Sequence, residues 1–205
     1  MSEQKEWGFY FDASRCIGCN ACAISCKNRH GTETGEIDWR RVENVETGEF
    51  PDVQQQNFSI SCMHCKDAPC EKVCPTDAIK KRDSDGIVTI DREACIGCHY
   101  CGWACPYGAP QYDEEGLMQK CNLCLDRGPG SGVGEPPKHE QDDPLEPACV
   151  DECVGDALHA GPINELLSEA SKEATERFHR DGRTQVIVES ATEGAQDVAG
   201  EEAAD

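Results

Sequence analysis

The sequence is poor in the residues that build a large apolar core. Aromatic residues make up 6% of its 205 positions, and the mean hydropathy is −0.63. Small folds with thin cores are usually held together by covalent links or by bound metal. The sequence therefore predicts one domain of ordinary size, or two small ones merged, that depends on such links.

Long apolar runs are missing as well. No stretch approaches the roughly 18 consecutive apolar residues that mark a membrane-spanning helix. Residues 1–6 contain neither the apolar segment nor the cleavage site of a secretory signal. We therefore expect no signal peptide and no direct membrane span. Partner subunits would hold the chain at a membrane, either on the extracytoplasmic face after export in folded form or in the cytoplasm.

Positive charge is scarce. The chain has 19 Lys and Arg against 40 Asp and Glu, and its formal net charge is −21. The net charge is −7 over residues 1–130 and −14 over residues 131–205. Such a surface repels phosphates, which excludes nucleic acid as a partner. A solvated, halophile-type surface is favoured over a docking face for a basic redox partner, because the acid excess is greatest outside the cysteine-rich segments.

Sets of residues that would perform catalysis are not evident. The sequence contains no recognisable Ser–His–Asp arrangement, paired carboxylates or Gly-rich phosphate loop. We therefore expect no catalytic residues and no substrate site in this chain.

Cysteine is abundant: 16 residues form four runs of four, with none left over. Three closely spaced cysteines followed by a fourth are typical of two-cluster ferredoxins, in which the fourth thiolate ligates the neighbouring cluster. Disulfides would suit a secreted chain and zinc would favour isolated Cys pairs, so neither explains runs of four. The sequence therefore predicts four [4Fe–4S] clusters, with these iron ligands: Cys16, Cys19, Cys22 and Cys26; Cys62, Cys65, Cys70 and Cys74; Cys95, Cys98, Cys101 and Cys105; Cys121, Cys124, Cys149 and Cys153.

The endings of the runs bear on their pairing. The second and third runs both end in Cys-Pro, whereas Lys27 and Val154 follow the first and fourth. Matching endings favour an inner ferredoxin nested inside a split outer one. Sequential pairing, of the first run with the second and the third with the fourth, is the alternative.

The predicted fold class is α+β, with two nested bacterial-ferredoxin-like units, long loops and few regular elements. Asp85-Gly86 between two apolar runs indicates a hairpin, and residues 29–57 read as a polar surface excursion. The predicted helices cover residues 21–28 and 162–178, and the predicted strands cover residues 7–11, 58–61, 117–120 and 185–189. The predicted domains are a four-cluster domain (7–160, with an inner unit 58–112, an outer unit 7–30 plus 117–160, and a mobile loop 125–148), a C-terminal helix and strand (161–189) and a disordered acidic tail (190–205).

Four further segments are distinctive: Gly-Phe-Tyr-Phe-Asp-Ala-Ser-Arg-Cys (8–16), Ser-Cys-Met-His-Cys (61–65), Cys-Pro-Tyr-Gly-Ala-Pro-Gln-Tyr (105–112) and Gly-Pro-Ile-Asn-Glu-Leu (161–166). They resemble the iron–sulfur subunit of dimethyl sulfoxide reductase, and the likeness covers roughly residues 7–167. Polysulfide, thiosulfate, tetrathionate and nitrate reductases and formate dehydrogenase have subunits that share the cysteine framework.

The resemblance implies an electron-transfer subunit, with a molybdopterin-containing catalytic subunit and a quinol-oxidising membrane anchor subunit as partners. The reaction served would be reduction of dimethyl sulfoxide or a related S- or N-oxide. The alternatives are the corresponding subunit of a polysulfide, thiosulfate or tetrathionate reductase or of formate dehydrogenase, and a free-standing polyferredoxin. The long loop at 125–148 and the acidic surface depart from the family pattern. The resemblance also implies nested ligation by four sets: Cys16, Cys19, Cys22 and Cys153; Cys26, Cys121, Cys124 and Cys149; Cys62, Cys65, Cys70 and Cys105; Cys74, Cys95, Cys98 and Cys101.

Some residues near the cysteines are expected to act on the clusters without ligating iron. His64 and His99 would be hydrogen-bond donors that tune the potential, and Trp103 would shield a cluster from water. Three lysines would offset cluster charge, with a solvated position as the alternative for each: Lys66, Lys72 and Lys120.

Overall fold

The computed structural model describes residues 6–32, 35, 37–125 and 147–180, with side chains described as far as residue 174. Two compact units divide the chain, Met1–Leu167 and Ser168–Asp205. Short helices and strands are mixed along the first unit, and the described part of the second is the remainder of the last helix. The elements are β1 (Trp7–Phe11), α1 (Ala21–His30), β2 (Arg40–Thr47), β3 (Gln54–Ser61), α2 (Pro69–Lys72), β4 (Ile79–Lys81), β5 (Val88–Ile90), α3 (Tyr100–Ala104), β6 (Gln111–Tyr112), β7 (Met118–Gln119), α4 (Ala148–Asp151), β8 (Leu158–Pro162) and α5 (Ile163–Arg180).

Within the described residues the strands form four two-stranded antiparallel sheets: β1 with β8, β2 with β3, β4 with β5, and β6 with β7. The β1–β8 pair runs from Trp7 opposite Pro162 to Phe11 opposite Leu158. This pairing joins the beginning of the first unit to its end, so all the other strands lie between the two partners in the chain.

The hairpin predicted at Asp85-Gly86 is confirmed, since β4 and β5 pair across it. The Asp85 carboxylate accepts a hydrogen bond from the Ile87 backbone N–H at 3.0 Å, and Gly86 adopts a positive φ of 72°. Ile79 and Val88 are each 1% exposed. The hairpin therefore places an apolar face in the core.

The polar surface excursion predicted over residues 29–57 contains regular secondary structure that was not predicted there. A long hairpin occupies most of it, because β2 and β3 pair from Arg40 opposite Ser61 to Thr47 opposite Gln54. Only its base is buried, with Arg40 2% and Ser61 4% exposed. The outer part of the hairpin is polar and solvated, so it lacks the apolar alternation by which a half-buried strand is usually recognised.

Helix α1 begins at the predicted residue and ends two residues later than predicted. Its end is fixed by Gly31, which has a φ of 61° and donates its backbone N–H to the Lys27 carbonyl. A glycine in the left-handed conformation is a common helix C-cap. Cys22 and Cys26 lie one turn apart on this helix, so the first run supplies two neighbouring positions along one face.

The core is small and lies between the cysteine loops, as the composition predicts. One apolar cluster joins Ile79, Val88 and Met118 to Cys70 and Cys101. Phe9 packs against two further clusters, one around Cys62 and Cys121 and one around Cys149 and Leu158. Apolar side chains and cysteines therefore share the interior. In the described part of the chain, no helix has the length and apolar character to cross a membrane.

Several predicted boundaries can be compared with the structure. The C-terminal helix is predicted over 162–178 and observed over Ile163–Arg180. Most of the predicted loop 125–148 lies outside the described residues, and its last residue, Ala148, already begins α4. The predicted strand 185–189 and the acidic tail 190–205 lie outside the described residues.

Candidate cluster-binding sites

All sixteen cysteines lie in the described residues, and none forms a disulfide. Three sets of four each line one cavity of the protein, and the remaining four are electrostatic neighbours. We call these sets group I (Cys16, Cys19, Cys22, Cys153), group II (Cys26, Cys121, Cys124, Cys149), group III (Cys62, Cys65, Cys70, Cys105) and group IV (Cys74, Cys95, Cys98, Cys101).

Group IV takes members from two runs. Cys74 lies just after α2, yet it lines the same cavity as Cys95, Cys98 and Cys101 of the third run. Apolar side chains of Ile79, Ile90 and Met118 complete the wall. These apolar side chains limit the access of water to a metal group bound by the four sulfurs.

Group III has the reciprocal composition. Cys62, Cys65 and Cys70 of the second run line a cavity with Cys105, the last cysteine of the third. The second and third runs therefore exchange their final cysteines between two cavities.

Group I joins the two ends of the cysteine-containing region. Cys16, Cys19 and Cys22 line a cavity with Cys153, which is the last cysteine of the chain. The backbone N–H of Ala157 donates to the Cys153 sulfur at 3.2 Å.

Group II is the most deeply buried set, and its four cysteines are between 4% and 8% exposed. Burial raises the pKa of the Cys26 thiol far above its ordinary range, and negative charge on Cys121, Cys149 and Cys124 raises it further. Burial likewise raises the pKa of Cys149 to about 12, against the lowering effect of the nearby Arg40 charge. These four sulfurs are therefore close enough to repel one another as thiolates.

Each run bends in the same way just before its second cysteine. The residue there has a positive φ in all four runs: Gly18 70°, His64 44°, Gly97 66° and Leu123 59°. A residue in this conformation helps to turn successive backbone N–H groups toward a common anion. A Cβ on Gly18 would lie 2.9 Å from the Asn57 amide, and one on Gly97 would lie 3.0 Å from the Gly116 oxygen. Glycine therefore meets a steric as well as a conformational requirement.

Polar groups lie beside individual sulfurs. The Sγ atoms of Cys22 and Cys101 lie 3.4 Å from the Ser59 hydroxyl and the Tyr112 hydroxyl respectively, and the Cys124 Sγ lies 3.5 Å from His30 Nε2. Cys74 is a special case. Burial raises the pKa of its thiol, but hydrogen bonds from the backbone N–H groups of Ile79, Thr76 and Ala78 and from the Thr76 hydroxyl bring that pKa below its ordinary value.

Tyr112 is placed to donate a hydrogen bond to group IV. Burial raises the pKa of its phenol, as does its hydrogen bond to Cys101, so the hydroxyl keeps its proton. A Cβ on Gly102 would lie 2.5 Å from the Tyr112 oxygen, so the glycine makes room for this contact.

Tyr112→Phe is expected to lower the reduction potential of the group IV cluster. A hydrogen bond to a sulfur stabilises the more negative reduced form. Partial loss of a bond to a charged group corresponds to a fall on the order of 30–60 mV for a one-electron couple. An EPR-monitored redox titration measures it. Tyr100→Phe, which removes a hydroxyl from a half-exposed ring of α3, is the control; equal potentials in both variants would remove the assigned role.

The donor set fits iron. Thiolates are the ligands of iron–sulfur clusters, and each group offers four sulfurs. Burial raises the pKa of several of the thiols, that of Cys70 to about 11. Deprotonated neighbours add to this effect, as Cys62 and Cys105 do at Cys65. Four adjacent thiolates are therefore stable near neutral pH only if a strong positive charge lies between them, and bound metal supplies such a charge.

The three lysines considered above are not equivalent. Lys66 is exposed, and the exposed Lys72 pairs with Asp67 at 2.5 Å. Lys120 is 2% exposed, and its ammonium donates to the backbone carbonyls of Val88 and Cys121. Its charge lowers the pKa of Cys70, opposing the larger effect of burial. Of the three, Lys120 alone is a buried cation beside cysteine sulfurs.

His64, His99 and Trp103, which were expected to act near the clusters, have different surroundings in the structure. His64 is 5% exposed and its Nδ1 accepts the Val88 backbone N–H at 3.1 Å, so a neutral ring carries its hydrogen on Nε2. That nitrogen has no hydrogen-bond partner within the described residues. The His99 ring stacks on Tyr112 with centroids 3.8 Å apart. The shielding role expected of Trp103 is wrong for the isolated chain, because the residue is 82% exposed.

Comparisons with known proteins agree with the cysteine pattern. Residues 53–163 match a 4Fe-4S dicluster domain family, and residues 15–78 match a second family with the same description. With two such domains and sixteen cysteines, the chain carries four [4Fe–4S] clusters. The predicted cofactor content is therefore confirmed.

Three relatives narrow the family. The iron–sulfur subunit of the anaerobic dimethyl sulfoxide reductase of Escherichia coli K12 is 44% identical over 170 residues, covering 78% of this chain and 76% of its own. A sulfite dehydrogenase subunit of Allochromatium vinosum is 38% identical over 182 residues, covering 81% and 72%. The formate dehydrogenase iron-sulfur subunit of Wolinella succinogenes is 44% identical over 130 residues, covering 60% and 63%. The chain thus belongs to the family of four-cluster electron-transfer subunits that includes the iron–sulfur subunit of dimethyl sulfoxide reductase.

Proposed function

We propose that the chain passes electrons through its four clusters between a quinol-oxidising membrane subunit and a molybdopterin-containing catalytic subunit that reduces dimethyl sulfoxide or a related S- or N-oxide. The observation that carries the proposal is the division of sixteen cysteines into four adjacent groups of four. When bound, each [4Fe–4S] cluster takes up and releases single electrons.

Groups I to IV are the proposed ligand sets, and the proposed fold is correspondingly an inner ferredoxin nested within an outer one. The exchange of final cysteines between runs supports the inner pair, because Cys74 lines the group IV cavity and Cys105 the group III cavity. Cys153 in the group I cavity supports the outer pair. Sequential pairing would instead require Cys26 beside Cys62, Cys65 and Cys70.

A linear order, I–II–III–IV, is the proposed electron path. Cys22 of group I and Cys26 of group II lie one turn apart on α1. Cys121 of group II is close enough to Cys62 of group III for a charge on Cys62 to raise its pKa, although burial raises that pKa more. Cys70 of group III lies in α2, and Cys74 of group IV follows two residues after the end of that helix. Each group is thus linked to the next by a short peptide segment or by charge.

The two terminal groups are the proposed points of entry and exit. Ile17 and Ile96 occupy equivalent positions in the first and third runs, line the group I and group IV cavities, and are 67% and 65% exposed. Exposed apolar side chains beside a cofactor suit contact with partner subunits. Groups II and III lie between them in this order, and Phe9 and Ala109 pack beside Cys62 and Cys121 and help to exclude water there.

Iron and acid-labile sulfide assays test the cofactor content directly. Anaerobically prepared full-length protein is expected to contain about four cubanes per molecule, because all sixteen thiols are available as ligands. Stoichiometric zinc without sulfide would contradict this expectation.

Affinity purification of the tagged protein from its native cells tests the proposed role. A complex with a large molybdenum-containing polypeptide and a membrane subunit is expected. Relatives from sulfite and formate dehydrogenases favour related catalytic partners as a second candidate, and the co-purified complex's oxidation or reduction of sulfite, formate or dimethyl sulfoxide separates these. A protein that carries four clusters and purifies alone would indicate a free-standing polyferredoxin.

A further inference from the structure

Arg40 is a buried cation in a segment whose polar sequence predicts a surface excursion. It is the first residue of β2 and is 2% exposed. The centre of its guanidinium lies 4.3 Å from the centroid of the Phe9 ring. Arginine stays protonated in proteins, so this site holds a permanent positive charge inside the fold.

No carboxylate neutralises that charge within the described part of the chain. The Nη1 and Nη2 atoms donate to the hydroxyls of Ser59 and Ser61, each at 2.9 Å. The Nε atom is buried and has no hydrogen-bond partner among the described residues. A buried charge is costly unless an opposite charge lies near it, so the fold implies an anion close to Arg40.

Group II sulfurs lie around the same aromatic ring as Arg40 and can supply such an anion. The Phe9 ring, 4.3 Å from the guanidinium, packs against the apolar cluster that contains Cys121 and against the one that contains Cys149. Two of the four group II cysteines therefore share the surroundings of this single guanidinium. A cluster on four thiolates carries net negative charge, which matches the requirement at Arg40.

Ser59 extends the effect of Arg40 toward group I. Its oxygen accepts a hydrogen bond from Arg40 and lies 3.4 Å from the Cys22 sulfur. Since the Arg40 hydrogen occupies one acceptor position, the serine's own hydrogen is available to the Cys22 sulfur. Arg40 thus acts on group II through its charge and on group I through a hydrogen bond that the Ser59 hydroxyl relays.

We propose that Arg40 is the fixed counter-charge of the group II cluster and raises its reduction potential; this inference rests on the proposed ligation. Reduction adds one electron and one negative charge to the cluster, with no bond made or broken. A fixed positive charge in a water-poor interior stabilises the reduced form more than the oxidised form. Arg40 therefore keeps group II reducible by its neighbours in the electron path.

An EPR-monitored redox titration of the anaerobically prepared full-length protein tests the proposal. Arg40→Gln is expected to reduce the ratio of reduced to oxidised group II cluster at a fixed poise about tenfold, which corresponds to a shift of about 59 mV for one electron. Arg40→Lys, which keeps the charge, is expected to restore most of that ratio. The signal altered by Cys26→Ser identifies the group II cluster.

Arg41→Gln is the matched control. Arg41 is the next residue of β2, is partly exposed, and pairs with Glu43 at 2.9 Å. Its replacement is expected to leave all four potentials unchanged, because solvent and a carboxylate already offset its charge.

Each outcome bears on the proposal. Four intact clusters with unchanged potentials in Arg40→Gln would overturn it. If Arg40→Gln loses the group II cluster, restored loading in Arg40→Lys supports a role for charge, whereas continued loss in both variants overturns it in favour of a role for side-chain shape. Iron and sulfide contents of the unaltered protein separate failure of this inference from failure of the proposed function.

Discussion

Cys74→Ser is expected to remove the group IV cluster, or to convert it to a three-iron form, while the group III cluster remains intact. Cys74 lies in the second run, but its sulfur lines the cavity that contains Cys95, Cys98 and Cys101. Backbone N–H groups of Ile79, Thr76 and Ala78 hydrogen-bond to this sulfur and lower the pKa of its thiol. The site therefore favours a thiolate ligand that a serine hydroxyl does not replace.

Double substitutions test this prediction through the number of clusters that each variant loses. Cys70→Ser, four residues earlier, is expected to affect group III alone, so Cys70→Ser with Cys74→Ser should lose two clusters. Cys74→Ser with Cys101→Ser should lose only one, because both residues belong to group IV. Iron content and EPR spin quantitation of the full-length protein give the number. Loss of a single cluster in the first pair would assign Cys70 and Cys74 to the same site.

The cluster chemistry was predictable because the spacing of the cysteines is typical of iron–sulfur proteins. Each run of four opens with C-x2-C and closes with C-x3-C, which isolated metal sites do not require, and the sixteen cysteines line three cavities and form one buried group. The turn at Asp85-Gly86 was also predictable, because it lies between two apolar segments and contains a glycine, which readily adopts a positive φ. Local sequence was sufficient wherever one short segment determined the structure.

Arg40 shows where local sequence was insufficient. Its segment is polar, so nothing in it distinguishes a solvated arginine from a buried one. Its burial follows from the pairing of β2 with β3, which sets Arg40 opposite Ser61, and from the Phe9 ring of a distant strand. These contacts join residues about 20 and 30 positions apart, and a pattern read along one segment does not contain them.

Trp103 and Lys120 illustrate the same limit. Both lie close to cysteines in the sequence, yet Trp103 is 82% exposed and Lys120 is 2% exposed. Side-chain direction decided between them. Trp103 is on the outer face of α3, whereas Lys120 follows β7 and points toward the backbone carbonyls of Val88 and Cys121. Proximity in sequence to a cysteine therefore did not predict whether a side chain is buried beside the cysteine sulfurs.

Cys153→Ser is expected to disturb the group I cluster and to loosen the amino-terminal strand with it. The cysteine lines the group I cavity with Cys16, Cys19 and Cys22, which lie more than a hundred residues earlier. A shared cluster would thus tie the segment before α1 to the segment before β8. Other contacts between the two segments include the β1–β8 pair, the Asp12 N–H, which donates to the Ala157 carbonyl at 2.8 Å, and an ion pair of Arg15 with Asp156.

Hydrogen exchange measured on the full-length protein tests the tie. Loss of about 1.4 kcal/mol of local stability raises exchange about tenfold, so Cys153→Ser is expected to accelerate exchange of the β1 amides by at least that factor. Arg15→Gln removes an ion pair to Asp156 between the same segments, in which both side chains are substantially exposed. Exposed pairs contribute little, so this control should leave β1 exchange nearly unchanged. If Cys153→Ser disturbed the group I cluster while β1 exchange stayed at its original rate, the strand would be held by its other contacts and the cluster would not act as a clamp.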